Sequence, residues 1–358
     1  MKIKYTVLSV SILFIFSSCT HNSSNSFAIR DFNKSLQPYL NRVVSGAIVG
    51  FDASTLYIQT HANDDELKKM SQSEHPLLRA IAFRAMLERP TFNHFDLMMN
   101  NLNDTAIVAT DAGEWGIRYL RVSDDMLENG RWKDTASKKK TIDEIILHHN
   151  FLSSAYYQLK GIEPKEIYYS SIKEMAQYER RNITDNFKET ENALYALAKY
   201  KKSEDIPFIK KFLLSHLSQL TETSFQLMQK CPNEDYLDIY ENFYPRFFYL
   251  EICQHTFTDN PKNFINSIAI YKNERSEKIL SSILNRSPFL PCDVDTSDLK
   301  EELIYSIWNN PCKAYSGLKK QIEASYRKYE DENKKNPGFK LNPPDLVKDI
   351  SKEPVKWW

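Results

Sequence analysis

Apolar residues recur with helical spacing through much of this chain, and the clearest case is the stretch SEHPLLRAIAFRAMLERP at 73–90. It begins with a polar cluster and a proline and stops at a second proline. At 100° per residue its apolar side chains form two faces, and Arg79 and Arg84 lie in the gaps between them. A surface helix of a compact domain needs one apolar face. The pattern therefore predicts a helix with packed neighbours on both sides.

Helical hairpins are predicted from this point onward. The stretch TFNHFDLMMNNL after Pro90 predicts an antiparallel partner for the first helix. Together they make a unit of roughly 30 to 40 residues, the size of one α-solenoid repeat. A second clear pair is predicted at 189–217, where NALYALAKY is followed by a polar turn and IPFIKKFL. Weaker pairs continue to about residue 333.

Other segments are less regular. The stretch SDDMLENGRWKDTASKKK predicts an exposed loop, because it is polar and contains Asn-Gly and a lysine run. The alanine-containing stretch around residues 104–114 predicts another helix. For RVVSGAIVGFDASTLYIQTH, a short strand pair and a helix fit equally well.

Two of these stretches resemble a known repeat family. HPLLRAIAFRAML resembles the first helix of a HEAT-type repeat, and ETENALYALAKYKKSEDIPFIKKFLLSHL is similar to the short HEAT-like repeats. The stretch LNDTAIVATDAGEWGIRYLRV resembles the same repeat more weakly, because it has no arginine at the matching position. The resemblance implies an all-α fold, an α-solenoid of antiparallel helical hairpins over residues 36–335. An irregular insertion interrupts it, and an extended, proline-rich tail follows at 336–358.

Composition agrees with helices. The chain has only 8 glycines against 20 tyrosines and 20 phenylalanines, whereas all-β and Rossmann folds need glycine at tight turns. The 47 basic side chains balance 47 acidic ones, which gives no support for a nucleic-acid partner. We expect neither a cofactor nor a nucleic-acid ligand.

The N-terminus has the features of a targeting segment. Lys2 and Lys4 precede a short apolar stretch, which is followed by FSSC ending at Cys19. This order resembles the lipobox of bacterial lipoproteins, as in Bacteroidetes envelope lipoproteins. The resemblance implies a cleaved signal peptide at 1–18, a lipidated Cys19 and a flexible tether at 19–35. Thr at position 20 favours the outer membrane, facing the periplasm. An ordinary secretory signal or an uncleaved anchor is the alternative.

Four cysteines remain after Cys19, and an envelope location permits disulfides between them. Cys292 and Cys312 each follow a proline, as loop residues would, so we expect these two to pair. Free buried thiols are the alternative. The absence of CxxC argues against a thioredoxin-type or zinc site.

The sequence gives little support for a metal site or a catalytic site. Adjacent His148 and His149 point about 100° apart on a helix, so they do not readily bind one ion. Asp104, Asp111 and Glu114 could hold a cation, but we favour helix capping for them. No nucleophile-elbow or nucleotide-binding motif occurs. We predict no metal site and no catalytic residue.

Arg79 and Arg84 have a structural interpretation. In stacked repeats an arginine often reaches the carboxylate of the preceding loop and holds neighbouring units in register. Glu74, Asp64 and Asp104 are the expected partners, and we prefer this role to ligand binding.

Aromatic residues cluster in DYLDIYENFYPRFFYLEI and at the end of the sequence. Tyrosine and arginine are favoured at interfaces because they combine contact area with a polar group. Core packing is an equally supported alternative. The candidate binding surface consists of Tyr236, Tyr240, Phe243, Tyr244, Arg246, Trp357 and Trp358.

These features favour a lipid-anchored cell-envelope protein that acts as a non-catalytic binding or assembly scaffold. Its expected contacts are another envelope protein, or a peptide or glycan ligand, and the membrane through the N-terminal lipid. The alternative is an envelope hydrolase, or a glycan- or peptide-binding accessory lipoprotein, with its site in residues 103–185.

Overall fold

The structure, a computed structural model, describes residues 28–46, 52–111, 116–130, 134–177, 186–217, 220–247, 260–286 and 297–324. These residues are mostly helical. The helices are α1 (Gln37–Val44), α2 (Ala53–His61), α3 (Asp64–Ser71), α4 (Pro76–Leu87), α5 (His94–Asn100), α6 (Val122–Asn129), α7 (Thr135–His148), α8 (Ser153–Leu159), α9 (Glu166–Gln177), α10 (Asn186–Ala198), α11 (Ile206–Ser215), α12 (Glu222–Lys230), α13 (Leu237–Phe247), α14 (Asn260–Ala269), α15 (Glu274–Arg286), α16 (Ser297–Asn309) and α17 (316–324).

The even-numbered helices from α2 to α16 form a row in which each helix contacts the next one. Odd-numbered helices lie beside them, with contacts from α5 to α7, α7 to α9, α11 to α13 and α13 to α15. A continuous apolar core runs along these rows from Phe32 to Ile322. The helices of the two clear pairs predicted from the sequence are present as α4 and α5 and as α10 and α11, and the members of each pair are in contact.

Helix α4 has neighbours on both sides, as its two apolar faces predicted. Nine of its twelve residues are buried, and it contacts α2, α3 and α6. Pro76 occupies the first turn, where its missing N–H removes no intrahelical hydrogen bond. The 73–90 stretch is therefore an interior helix.

A β-hairpin replaces the helix expected around residues 104–114. Strands β1 (Ile107–Asp111) and β2 (Ile117–Arg121) pair antiparallel, with Ile107 opposite Arg121. The helical prediction was wrong because apolar burial here alternates with period two, as in a half-buried strand. The cross-strand partners Val108 and Leu120 are buried, while Ile117 and Tyr119 are exposed.

The predicted loop after β2 is also corrected. Its first part, SDDMLEN, forms α6, and its lysine run lies in α7. Asp124 and Asp125 are buried because arginines and a backbone amide bind their carboxylates: Arg84 binds Asp125, and the Ser154 N–H donates to Asp124 at 2.8 Å. The local sequence predicts that such aspartates are exposed, because a buried carboxylate needs partners that the local sequence does not show. For the stretch that begins at Arg42, the helical alternative is correct, since α1 and α2 flank residues 47–51, which lie outside the described residues.

The folded part begins before residue 36. Phe32 is buried in the core, and the Asn33 N–H donates to Glu66 Oε1 at 2.9 Å. The predicted tether is therefore too long at its C-terminal end. The signal peptide at 1–18, Cys19 and the tail at 336–358 lie outside the described residues. Among the residues that are described, no helix is long and apolar enough to cross a membrane.

Candidate functional site

Arginines of α4 bind carboxylates of other elements. Arg79 donates from Nε to Asp104 Oδ2 at 2.6 Å and from Nη2 to Asp104 Oδ1 at 2.8 Å, which confirms one of the predicted partners. Arg84 was expected to use the same set of carboxylates, and this was wrong, because it binds Asp125 in α6. These two-point contacts fix α4 against the elements that follow it. Both arginines therefore make structural contacts between α4 and later elements, and the expectation of a carboxylate partner in the preceding loop was wrong.

Six turns that join an even-numbered helix to the next odd-numbered one bind each other in pairs, and we call this set the turn edge: the α2–α3, α4–α5, α8–α9, α10–α11, α12–α13 and α14–α15 turns. The α4–α5 turn binds the α2–α3 turn through Arg89. Its Nη2 donates to the carbonyls of Gln59 at 3.1 Å and Ala62 at 2.6 Å, and its Nη1 donates to Asp64 at 2.7 Å. Carbonyls at a helix C-terminus have no intrahelical partner, so the arginine satisfies groups that would otherwise be unpaired.

The α10–α11 turn repeats this contact with different residues. Lys199 Nζ donates to the carbonyls of Lys160 and Ile162, each at 2.9 Å, and the Tyr200 hydroxyl donates to the Lys165 carbonyl at 2.7 Å. All three acceptors belong to the α8–α9 turn. In both of these pairs, donors of the later turn reach back to the preceding one.

Two further junctions lie nearer the C-terminus. Asn273, in the α14–α15 turn, donates from Nδ2 to Glu234 Oε1 of the α12–α13 turn at 3.2 Å. The Tyr315 hydroxyl, just before α17, donates to the Ala269 carbonyl at 2.9 Å and accepts from the Lys272 N–H at 3.2 Å. The turn edge is thus a series of polar contacts between neighbours in the row.

The backbone of two of these turns has the same form. Lys201 and Lys272 both have left-handed backbones, with φ of 54° and 55°, and each follows a tyrosine, Tyr200 or Tyr271. Those tyrosines donate their backbone N–H to the carbonyls three residues earlier, at 3.1 Å and 3.2 Å. The shared Ala-x-Tyr-Lys at Ala198 and Ala269 is a repeat signal that could have been found from the sequence.

Lysines and tyrosines are interleaved where α9 meets the α10–α11 turn. Lys202 Nζ lies 3.4 Å from the centre of the Tyr169 ring and donates to Glu166 Oε1 at 2.9 Å. The Tyr169 hydroxyl donates to Asp205 Oδ2 at 2.9 Å, and Lys173 Nζ lies 2.8 Å from Asp205 Oδ1. Burial, with help from Asp205, raises the pKa of Tyr169. The buried Asp205 carboxylate is neutralised by Lys173.

A cavity of about 200 Å³ lies between this turn and the α12–α13 turn. Its lining combines an apolar floor with charged and polar groups. The apolar part consists of Leu197, Ala198, Ile206, Ile209, Pro232 and Tyr236, and the remainder of Lys201, Lys202, Asp205, Cys231 and Asn233.

The Cys231 thiol lines this cavity. Burial raises its pKa, and the nearby charges of Lys201 and Lys199 oppose that effect in part. The thiol is therefore protonated at neutral pH and behaves as a small apolar group. Burial also raises the pKa of the Tyr236 hydroxyl, so this side chain is neutral.

A smaller cavity of about 90 Å³ lies between α6, α7 and α8, in the 103–185 region. Burial raises the pKa of Glu128 in its wall, although Arg118 pairs with this carboxylate and opposes the shift. The Ser154 Oγ, also in the wall, is buried and has no hydrogen-bond partner among the described residues. The other lining residues are Leu127, Lys138, Thr141, Ile142, Ile145, Tyr157 and Gln158.

The predicted aromatic surface is corrected at two positions. Tyr236 is 2% exposed and Tyr240 0% exposed, and Tyr240 packs 5.8 Å from the Phe264 ring, so both belong to the core. Helical spacing in this segment directs these two side chains inward. Phe243, Tyr244 and Arg246 belong to the second half of α13, whereas Trp357, Trp358 and Cys19 lie outside the described residues.

The three acidic residues considered as a cation site or as helix caps have different surroundings. Asp104 is bound by Arg79, Asp111 ends β1, and Glu114 lies outside the described residues. The expectation that Asp111 and Glu114 share a helix face was wrong, because Asp111 lies in a strand. Over the described part of the chain, no three His, Cys, Asp or Glu side chains are grouped to hold a metal ion.

His149 lies 3.6 Å from Glu144, between its Nε2 and the carboxylate Oε1. Burial lowers the pKa of His149, and the Glu144 charge opposes this shift in part. The imidazole is therefore neutral at pH 7 and contacts the edge of the Phe151 ring, whose centre is 5.9 Å away.

The cysteines give no support for the expected disulfide. Cys312 is a free, half-buried thiol, and so is Cys231. Cys292, the expected partner of Cys312, lies outside the described residues.

Comparison with known proteins gives no match to a family model, to a curated protein or to a solved structure.

Proposed function

We propose that this protein is a lipid-anchored cell-envelope scaffold whose body is a HEAT-like α-solenoid of antiparallel helical hairpins. The observation that carries the proposal is the turn edge, where Arg89, Lys199 and Asn273 each join one turn to the turn before it. Units that contact mainly their neighbours make a long surface, and such surfaces serve binding and assembly.

The partner we propose is another envelope protein that binds along the turn edge. Side chains there are polar and partly exposed, and several are already fixed by neighbours, such as Tyr200 through its bond to the Lys165 carbonyl. Side chains held in place before binding lose less conformational entropy when a partner arrives. The membrane contact is supplied by the lipid on Cys19, which places the protein at the outer membrane and facing the periplasm.

The anchor is tested by fractionating bacterial envelopes that express the full chain. We expect the wild-type protein and the control Cys231→Ala to be processed and membrane-bound. Cys19→Ala should accumulate unprocessed or be released from the membrane fraction. Equal processing and membrane association of Cys19→Ala and wild type would disprove the lipid anchor.

The scaffold role is tested by affinity capture from envelope extracts. We expect one envelope protein to co-purify in a fixed molar ratio and to dissociate as salt rises, because the turn edge is polar. Charge reversal at the exposed Lys201 should weaken this capture more than charge reversal at Lys68, which lies in α3. The absence of a stoichiometric partner would count against the scaffold.

The cavity between α6, α7 and α8 favours one alternative, a glycan- or peptide-binding accessory lipoprotein. Its wall carries Glu128, Ser154 and Tyr157 within the 103–185 region. Calorimetric titration with short oligosaccharides and peptides tests it. Saturable binding that Glu128→Gln and Ser154→Ala abolish would support this alternative, and unchanged binding by both variants would exclude the cavity.

A further inference from the structure

The larger cavity lies between two pairs of turns, each of which is joined by hydrogen bonds. Hydrogen bonds join the α8–α9 turn to the α10–α11 turn, and the α12–α13 turn to the α14–α15 turn. Between the α10–α11 and α12–α13 turns, the described residues form no such hydrogen bond, and the cavity occupies the gap. A ligand there would contact both turns and complete the junction.

The floor of the cavity suits an apolar group. Leu197, Ala198, Ile206 and Ile209 come from α10 and α11, and Tyr236 comes from the turn opposite. The volume of about 200 Å³ exceeds that of an engineered apolar cavity of about 150 Å³ that binds benzene. A ring-sized group therefore fits.

The rim carries a cation that the described part of the protein does not neutralise. Lys201 is exposed. It lies three residues after the end of α10 and has a left-handed backbone conformation. No described carboxylate forms an ion pair with it, whereas Lys202 is paired with Glu166 and Lys173 with Asp205. Lys201 is thus available to an anion at the cavity mouth.

We propose that this cavity binds a monoanionic amphiphile, with an apolar group the size of an aromatic ring in the cavity and a carboxylate paired with Lys201. Among the described residues that line the cavity, Lys201 is the cation without an ion-pair partner, so it matches one negative charge and leaves the second charge of a phosphate monoester unmatched. A free aromatic acid and a peptide with an aromatic residue beside an acidic one share this chemistry. Binding here goes beyond the scaffold function and does not depend on it.

The Cys231 thiol reports occupancy, because it lines the cavity. The experiment measures the alkylation rate of each cysteine in the purified full chain by peptide mass spectrometry, with increasing 3-phenylpropionate or 3-phenylpropanol. We expect the acid to slow alkylation of Cys231 saturably and the alcohol to need about a tenfold higher concentration, since a hydrogen bond to a charged group is lost. Alkylation of Cys312, in another turn, serves as the control and should not change.

Two variants test the role of Lys201. Lys201→Gly and Lys201→Asn both accept a left-handed backbone and remove the charge. Each should abolish the preference for the acid over the alcohol while leaving far-UV circular dichroism unchanged. A matched variant, Lys272→Gly, should keep the preference.

A capped tetrapeptide with adjacent Phe and Asp distinguishes the two ligand sources. Stronger protection by the peptide assigns the site to a protein segment, and stronger protection by 3-phenylpropionate assigns it to a free acid. Three results would overturn the proposal: no protection of Cys231 by any of these probes, equal protection by acid and alcohol, or equal slowing at Cys312. None of these results bears on whether an envelope protein binds the turn edge.

Discussion

Arg84 of α4 binds the carboxylate of Asp125 in α6 with two hydrogen bonds, one of them 2.9 Å from Nε to Oδ2. The Asp125 side chain is only 1% exposed, so its carboxylate makes few hydrogen bonds to water. The hydrogen bonds and the charge of Arg84 replace most of them. Because α4 and α6 are successive members of the row, this pair fixes the register between two neighbouring units.

Removing the Arg84 guanidinium should therefore destabilise the folded protein. We expect Arg84→Met to lower the free energy of unfolding by about 3 kcal/mol, because a buried carboxylate is left without its partner. The control Lys68→Met breaks the exposed pair with Asp65 and should cost less than about 1 kcal/mol. Urea denaturation measures both.

The double variant Arg84→Met/Asp125→Leu separates the buried charge from the lost packing. It should recover most of the stability, because no unpaired charge remains. Equal losses in Arg84→Met and Lys68→Met would show that the Arg84–Asp125 pair does not hold these helices together.

The turn edge predicts a specific effect of one hydroxyl group. Tyr200→Phe leaves the Lys165 carbonyl without the donor at 2.7 Å, and we expect a loss of about 1 kcal/mol in the free energy of unfolding. Tyr119→Phe, at a tyrosine that is 53% exposed, should change stability by less than about 0.5 kcal/mol. A loss no larger at Tyr200 than at Tyr119 would contradict the role of this contact.

The left-handed turns predict gains from glycine. At φ near 55°, a residue with a Cβ is strained by roughly 1–2 kcal/mol, and glycine is not. Part of that gain is lost because glycine gives the unfolded chain more freedom. We expect Lys201→Gly and Lys272→Gly each to raise the thermal midpoint, and Lys201→Val to lower it. A lower midpoint in both glycine variants would contradict this backbone assignment.

The burial of the Glu191 carboxyl predicts that the stability of the fold depends on pH. Burial raises the pKa of Glu191 above its ordinary value of 4.5, although hydrogen bonds from Ser224 and Thr221 oppose the shift. The folded protein then holds this proton more tightly than the unfolded chain does. The contribution of Glu191 to stability is present below the unfolded-state pKa and is lost as pH rises through the folded-state pKa.

Glu191→Gln removes this titration. The free energy of unfolding of the variant, relative to wild type, should therefore rise between about pH 4 and about pH 7. Urea denaturation at both pH values measures the difference. A difference that stays constant with pH would show that Glu191 titrates alike in the folded and unfolded chains.

Periodicity predicted the helices whose apolar residues dominate, and it failed where buried polar groups decide the structure. The two faces of α4 and the α10–α11 pair were visible because their burial follows from hydrophobic spacing alone. The sequence of Asp124 and Asp125 predicted a loop, since Arg84, which binds Asp125, and Ser154, whose N–H binds Asp124, lie elsewhere in the chain. Tyr236 was placed on a surface because local spacing does not reveal which side a helix buries.

The larger cavity was not predictable in the same way. Its lining comes from two turns about thirty residues apart, and its shape depends on how these turns stack. Lys201 carries a sequence signal, the repeated Ala-x-Tyr-Lys, but its unpaired charge is visible only in the folded chain.

Site-specific photocrosslinking in living cells tests the proposed scaffold most directly. A photoreactive amino acid replaces the exposed Ser203 on the turn edge, or the exposed Gln72 between α3 and α4, at the opposite edge. We predict one discrete adduct with an envelope protein from position 203 and none from position 72. No adduct from position 203, or the same adducts from both positions, would contradict a scaffold that binds its partner along the turn edge.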